Sequence, residues 1–223
     1  MQDLSSQQAA IFQNIARMGQ ALASPQRLKI VSLLTQGPKT VDRLAGLLGQ
    51  SIASTSAHLK VLRHSGLVTG RKRGRELHCE LASASVESLW LFMRNLGEEL
   101  LPEVREVVHD YFEDPESLSA LSEEELRREL AMNRVVLFDL RPEDEFAAGH
   151  LPGARHLPFS EIDAEPPSLS PDQRAFAYCR GPYCLMAIGG TARLQAMGLK
   201  VKRLGFGVPE WRQQGFDLEV SEA

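Results

Sequence analysis

SIASTSAHLKVLRHSGLVTGRKRGRELHCEL, residues 51–81, is the stretch that decides the front half of this chain. Ser51 starts a helix that runs to about His64, and Gly66 stops it. Ile52, Thr55, Leu59 and Leu62 fall on its inward stripe, while Ser51, Ser54, Ser56, His58 and Lys60 lie on the other face. Leu67-Val68 opens a strand, RKRGR is a turn, and ELHCEL reads as the return strand. In that strand Leu77, Cys79 and Leu81 alternate with Glu76, His78 and Glu80.

Working outward, residues 5–22 read as a helix with Ile11, Ile15, Met18 and Leu22 on one stripe. Ser24-Pro25 supplies an N-cap and a proline at the first helical position of a second helix, to about Thr35. Gly37-Pro38 breaks the chain, Thr40 caps a short helix over 41–48, and Gly49 ends it. Two short helices across a tight glycine turn, followed by a basic hairpin, make a winged helix-turn-helix pattern. Short hydroxyl side chains let such a helix sit deep in the major groove, so Ser51, Ser54, Thr55, Ser56, His58 and Lys60 are candidate DNA contacts. Arg71, Lys72, Arg73 and Arg75 at the hairpin tip can reach flanking phosphates or the minor groove.

Charge agrees with that reading. Residues 1–75 hold eleven Lys/Arg against Asp3 and Asp42, a net +9, which leaves −13 on the rest of a chain whose total is −4. A basic front on an acidic chain points to a polyanionic partner. With 43% hydrophobic residues and no run approaching a membrane span, the composition is that of a globular protein. The N-terminus has no secretory pattern, so the cytoplasm is the expected compartment. Cys79, Cys179 and Cys184 are too few for a disulfide scaffold, which makes thiol chemistry the better question.

The run S-T-S-A-H-L-K-V-L-R-H-S-G-L-V with its glycine-tipped basic wing resembles the ArsR/SmtB family of small dimeric repressors, over about residues 10–112. The resemblance implies a homodimer held by the first and last helices, an inverted-repeat operator, and release of DNA by an inducer. Metal-sensing members often carry a cysteine pair in the helix before the recognition helix; here that helix is TVDRLAGLLG. Glu106, His109 and Asp110 on the last helix are the remaining candidate ligands, and a solvated helix end is the simpler reading of them. Cys79 reads as a small buried apolar residue. No metal and no cofactor is expected.

Residues 85–112 read as a long apolar-rich helix that Pro102 is expected to kink or divide. A linker follows near 113–120, which sets domains of 1–115 and 116–223. Ser122 with Glu125 forms a capping box for a helix over 123–132. VVLFDL (135–140) and AFAYC (175–179) are apolar runs suited to buried parallel strands, each followed by a turn and a helix. The fold class is therefore two domains: a mainly α winged helix-turn-helix, then an α/β domain with a parallel sheet.

Cys179 ends the second of these strands and opens a short loop, CRGPYC, ahead of a helix. Amide groups of the loop and first helical turn are expected to converge on its sulfur, favour the thiolate, and lower its pKa below about 8.5. Arg180 adds charge, Gly181 permits unusual angles, and Pro182 stiffens the loop.

D-L-R-P-E-D-E-F-A-A-G-H-L-P-G-A, C-R-G-P-Y-C and L-G-F-G-V-P-E-W, in that order, resemble the rhodanese family of sulfurtransferases over roughly residues 118–220. By that resemblance Cys179 is the sulfur-accepting nucleophile. The loop Arg180, Gly181, Pro182, Tyr183 and Cys184 is its anion cradle, and Asp139, Arg141, Glu145 and His150 support fold and loop. Cys184 stands where many thiosulfate-using members place a second cation, which disfavours the dianion. Leu185 stands where related phosphatases and arsenate reductases need an arginine, which disfavours those activities. Cys184 is open to two readings: a resolving thiol for a persulfide or sulfenate, or a residue that packs at the helix start.

Two functions from different classes follow. The first is a DNA-binding repressor whose rhodanese-like domain takes up sulfur or oxidant at Cys179, with DNA, a second copy of the chain and a small sulfur donor or oxidant as partners and no membrane. The alternative is a sulfurtransferase enzyme working through a Cys179 persulfide and autoregulated through its DNA-binding half. Turnover separates them.

Overall fold

The computed structural model describes residues 2–164, 167–169 and 173–220. The chain divides into two compact units, Met1–Trp90 and Leu91–Ala223. Ten helices and seven strands are named here in chain order: α1 (Gln2–Leu22), α2 (Pro25–Leu34), β1 (Lys39–Thr40), α3 (Val41–Leu48), α4 (Ile52–His64), β2 (Val68–Arg73), β3 (Glu76–Leu81), α5 (Ala84–Leu100), α6 (Pro102–Phe112), α7 (Glu123–Ala131), β4 (Val135–Asp139), α8 (Glu143–Ala148), β5 (Arg155–His156), β6 (Arg174–Tyr178), α9 (Leu185–Ala196), β7 (Val201–Arg203) and α10 (Val208–Gln213). None of the described helices is long and apolar enough to cross a membrane.

In the first unit local chemistry sets the boundaries. Pro25 occupies the first turn of α2, where its missing N–H costs no helical bond. Thr40 accepts from the Arg43 amide to start α3, and Gly49 ends it at φ 63°, a left-handed angle that favours glycine. Ser51 accepts from the Ser54 amide at the head of α4. β2 and β3 form the antiparallel wing around Gly74, and β1 adds a third strand that the sequence pattern does not announce, pairing Lys39 with Cys79. The core gathers Ile30, Val31, Leu44, Leu59, Leu62, Leu67 and Cys79. Two expectations change. Ile52 is 56% exposed, because it lies in the first turn of α4, ahead of the packed stretch. Ile11 and Ile15 on α1 are also exposed, whereas Met18 and Leu22 reach the core.

The expected long helix divides at Leu101. Pro102 cannot donate the interior bond, so α6 restarts with the proline in its first turn. The Ser122–Glu125 capping box starts α7. The second unit is built on a four-stranded parallel sheet in the order β5-β4-β6-β7. Alternate residues along the central strands feed two cores. Leu137, Phe176 and Tyr178 pack with Leu126 of α7 and Trp211 of α10, while Val136, Phe138, Ala175 and Ala177 pack with Leu194 of α9. Burial on both faces is what continuous apolar strands such as VVLFD imply. Gly190 lets α9 approach the sheet, since a Cβ there would lie 2.6 Å from Leu140 Cδ1.

Candidate functional site

In the first unit, Ser51 at the head of α4 and Ser56 and Lys60 on it are exposed, and Ser54 and His58 are half-buried. Arg71, Lys72, Arg73 and Arg75 all project from the exposed wing. Thr55 does not belong with them. It is fully buried and its hydroxyl donates to the Ser51 carbonyl at 3.1 Å, which spends the group inside the helix. Cys79 is fully buried in the core, and burial raises its thiol pKa. No group of three His, Cys, Asp or Glu that could hold a metal occurs among the described residues. His109 instead faces Glu113 at 3.4 Å on an exposed helix end.

In the second unit the carboxyl ends of β4, β6 and β7 gather one site, as open parallel sheets do. Asp139, at the end of β4, is fully buried with Arg141. Its Oδ1 accepts from the Arg141 amide at 2.9 Å and from Nε at 3.0 Å; Oδ2 accepts from Nη2 at 2.6 Å. Tyr178, the last residue of β6, donates to the same Oδ2 at 2.5 Å and accepts from the Leu151 amide at 3.0 Å. Arg141 also donates to the Gly149 carbonyl at 2.8 Å. His150 stacks on Phe146 and pairs through its backbone with Glu219. This network ties β4, β6 and the Gly149 turn together directly behind Cys179.

Cys179 follows Tyr178 and is only 1% exposed. Gly181 sits at φ 128° in the loop, and Cys184 caps α9, its amide donating to the Gly181 carbonyl at 3.2 Å. The turn brings the two sulfurs to 2.8 Å, with both thiols free. Arg180 donates through Nε to both oxygens of the fully buried Glu145, at 3.0 and 2.8 Å. Its charge is therefore shared with a carboxylate, which spans 35 residues of sequence.

The expected depressed thiol at Cys179 is not what the geometry gives. Burial, followed by the neighbouring Cys184, pushes Cys179 well above the ordinary thiol range. Cys184 is pushed down to about 6, first by the hydrogen bond with Cys179, against burial, and then by the nearby backbone amides of Arg180 and Ala187 and the Arg180 charge. The two sulfurs lie at hydrogen-bonding distance and titrate as a coupled pair, so the shared proton and the charge belong to the pair.

Residues from other elements meet the loop: Gly207 and Glu210 come from the L-G-F-G-V-P-E-W motif, whereas Arg94, Glu98, Phe112 and Arg203 belong to no motif read from the sequence. Gly207 donates its amide to Glu210 Oε2 at 2.8 Å, and a Cβ on it would meet the Cys179 carbonyl oxygen at 2.5 Å. Glu210 also takes Arg94 Nη1 of α5. Tyr183 donates to Glu98 Oε2 at 2.5 Å, meets Phe112 edge-on at 5.6 Å, and lies under the Arg94 guanidinium. Arg203, on β7 opposite Ala177, is buried; its Nε has no hydrogen-bond partner among the described residues, and Asp114 and then Cys184 are the acidic groups that act on its charge.

The bacterial arsR regulatory protein family matches residues 24–69, and the rhodanese-like domain matches residues 122–214. HTH-type transcriptional regulator Rv0324 of Mycobacterium tuberculosis is 35% identical over 215 residues, which cover 96% of this chain and 94% of that one. HTH-type transcriptional regulator NmtR of the same organism is 41% identical over 86 residues, covering 39% of this chain and 69% of its own. A solved structure, the homodimeric winged helix-turn-helix DNA-binding domain of Mb0332 from Mycobacterium bovis, is 34% identical with a TM-score of 0.41, and the match covers 43% of this chain and 88% of that one. Near full-length identity to a transcriptional regulator, with an arsR match in front and a rhodanese-like match behind, gives the assignment: this chain belongs to the ArsR-family transcriptional regulators that carry a C-terminal rhodanese-like domain.

Proposed function

We propose that this protein is a homodimeric repressor whose operator affinity responds to sulfane sulfur or an oxidant at the Cys179 loop. The observation that carries the reading is the thiol pair, two free sulfurs 2.8 Å apart at the head of α9. Residues 1–115 bind DNA and pair the chains; residues 116–223 carry the thiol chemistry. The exposed apolar row Leu4, Ile11, Phe12 and Ile15 on α1 favours pairing through that helix. Steady turnover on thiosulfate is disfavoured, because Cys179 is buried and the Arg180 charge is shared with Glu145.

Helices α5 and α6 supply the route by which the loop speaks to the front half. Within the second unit they hold Tyr183, which stands in the loop next to Cys184, through Glu98 and Phe112. Any change in the loop therefore alters the partners of α5. The test is a titration of an operator, selected from random duplexes by the reduced protein, with reduced, persulfidated and peroxide-treated protein at fixed salt. A shift of about 5–150-fold, absent in Cys179→Ser, is expected. Equal affinities in all states, or rapid multiple-turnover sulfur transfer without any DNA response, would overturn the reading in favour of an enzyme.

A further inference from the structure

The arginines around the thiol loop are committed to carboxylates, Arg141 to Asp139, Arg180 to Glu145 and Arg94 to Glu210, with one exception. Arg203 on β7 is 2% exposed, and its Nε has no hydrogen-bond partner among the described residues. A guanidinium stays charged when buried, and a buried charge without a partner is strongly destabilising. Its place in the fold shows which anion it serves. Arg203 lies opposite Ala177 in the β6–β7 register, and Ala177 and Val201 pack on the α9 side of the sheet. Strand alternation puts the Arg203 side chain on that side too. Cys179 follows two residues beyond Ala177, and Cys184 caps α9. The chain ahead of α7 closes the outer edge of β7: the Arg203 amide donates to the Ser117 carbonyl at 2.7 Å, and the Ser119 amide donates to the Arg203 carbonyl at 2.8 Å. Asp114 and then Cys184 are the acidic groups that act on the Arg203 charge. Asp114 is exposed and already accepts from the Glu116 amide at 3.0 Å. The enclosed acid left for Arg203 is the thiol pair, whose sulfurs lie 2.8 Å apart. Arg180 and Asp139 also act on that pair, but Glu145 and Arg141 offset them.

We infer that Arg203 is a positioning residue of the thiol loop, the buried countercharge for the sulfur anion that the loop carries when it takes up sulfane sulfur. The inference rests on the proposed sulfur-responsive reading and adds to it what keeps the sulfur in place. In uptake the Cys179 thiolate attacks the outer sulfur of a persulfide donor R–S–SH. A Cys179 S–S bond forms and the donor S–S bond breaks. The departing thiolate takes the proton of the outer sulfur, leaving Cys179–S–S⁻ and RSH. In release Cys184 attacks Cys179 Sγ, its proton passes to the outer sulfur, and hydrosulfide leaves as the 179–184 bridge forms. The two thiols are oxidised by two electrons, and the sulfane sulfur is reduced to sulfide. A cation beside the loop favours the thiolate before uptake and the persulfide anion after it. An anionic outer sulfur is a poor leaving group, so Arg203 speeds loading and slows bridging.

The experiment compares the full chain, reduced and without oxygen, as wild type, Arg203→Met and Arg203→Lys. One equivalent of glutathione persulfide is added, and rapid acid quench, intact mass and peptide mapping follow the added sulfur and the bridge. Loop alkylation by iodoacetamide against pH and urea unfolding are measured alongside. Wild type is expected to load Cys179 and to hold the sulfur before bridging. Arg203→Met, neutral and of similar length, is expected to move loop alkylation up by about one pH unit or more, to load about tenfold more slowly at neutral pH, and to bridge sooner once loaded. Its urea midpoint is expected to be no lower than wild type, since an unpaired buried charge has gone. Arg203→Lys restores a cation and is expected to fall between the two. Arg203→Met with the wild-type pH profile, loading and bridging overturns the inference and leaves the sulfur-responsive reading standing. A lowered midpoint in Arg203→Met, with Arg203→Lys loading no faster, makes the arginine a packing residue and overturns it equally. A wild-type protein that takes no sulfur at all overturns both.

Discussion

Replacing Gly207 by alanine tests the site through a residue that carries no chemistry. Gly207 has φ −140° and ψ −155°, extended angles open to any residue, so glycine is needed there for space rather than for conformation. An added Cβ would stand 2.5 Å from the Cys179 carbonyl oxygen, 2.9 Å from the Gly181 amide nitrogen and 3.2 Å from the Arg180 carbonyl carbon. All three are backbone atoms of the thiol loop, so no side chain can swing aside. Reaching even 3.0 Å from the oxygen needs a displacement of 0.5 Å. Overpacking of this kind costs about 1–3 kcal/mol. The displaced peptides are those that hold Cys179 against Cys184, so the dithiol should separate along with the fall in stability. The assay is urea unfolding followed by Trp211 fluorescence in a Trp90→Phe background, with bridge formation by glutathione persulfide measured alongside. The expected result is a lower midpoint with unchanged m-value, together with slower bridge formation. A midpoint within about 0.5 kcal/mol of wild type and an unchanged bridging rate would refute the claim that this glycine seats the loop.

Four further outcomes are expected. Alkylation of Cys184 by iodoacetamide should rise with pH through a midpoint near 6, and Cys179→Ala should move that midpoint upward, since the hydrogen bond between the two sulfurs is the largest cause of the depression. The sign is that of a depressed acid: the thiolate's stabilisation is present above the ordinary thiol pKa and lost as pH falls through 6, while the raised Cys179 opposes it in folding, so reactivity is the clean readout. Asp139→Asn leaves the buried Arg141 charge without its carboxylate and should cost about 3–5 kcal/mol, read as a urea midpoint. Glu98→Ala should leave bridge formation intact and shrink the difference in operator affinity between reduced and bridged protein, measured by the same DNA titration. Neutralising Arg71, Arg73 and Arg75 together should flatten the salt dependence of DNA binding by about 0.9 in log–log slope for each phosphate that is no longer neutralised; an unchanged slope removes the wing from the interface.

Local signals carried most of the fold. Thr40, Gly49, Ser51, Gly66 and the Ser122–Glu125 box mark their element ends through bonds to residues a few positions away, and each acts where the spacing puts it. Pro102 divided the long helix for the same reason. Faces were harder to read than boundaries. Ile52 lies on the inward stripe by periodicity yet is exposed, because a stripe says which residues share a side and not how far along the helix the core extends. For Thr55 the inward stripe was right: it is buried with its hydroxyl on the Ser51 carbonyl, and only its likeness in residue type to its serine neighbours suggested a DNA contact.

What the sequence by itself determined is the order and kind of the parts: a basic winged helix-turn-helix, a parallel α/β unit, and a CRGPYC loop between a strand and a helix. Helix caps, glycine turns and hydrophobic period are set over a handful of residues, so they survive being read one window at a time. Only the tertiary structure decided what surrounds the two sulfurs. Cys179 is buried with Cys184 against it, Arg180 is claimed by Glu145 from 35 residues away, and Tyr183 reaches Glu98 across 85. Burial and the arrangement of distant charges fix a pKa, and neither is a property of any stretch of chain taken alone.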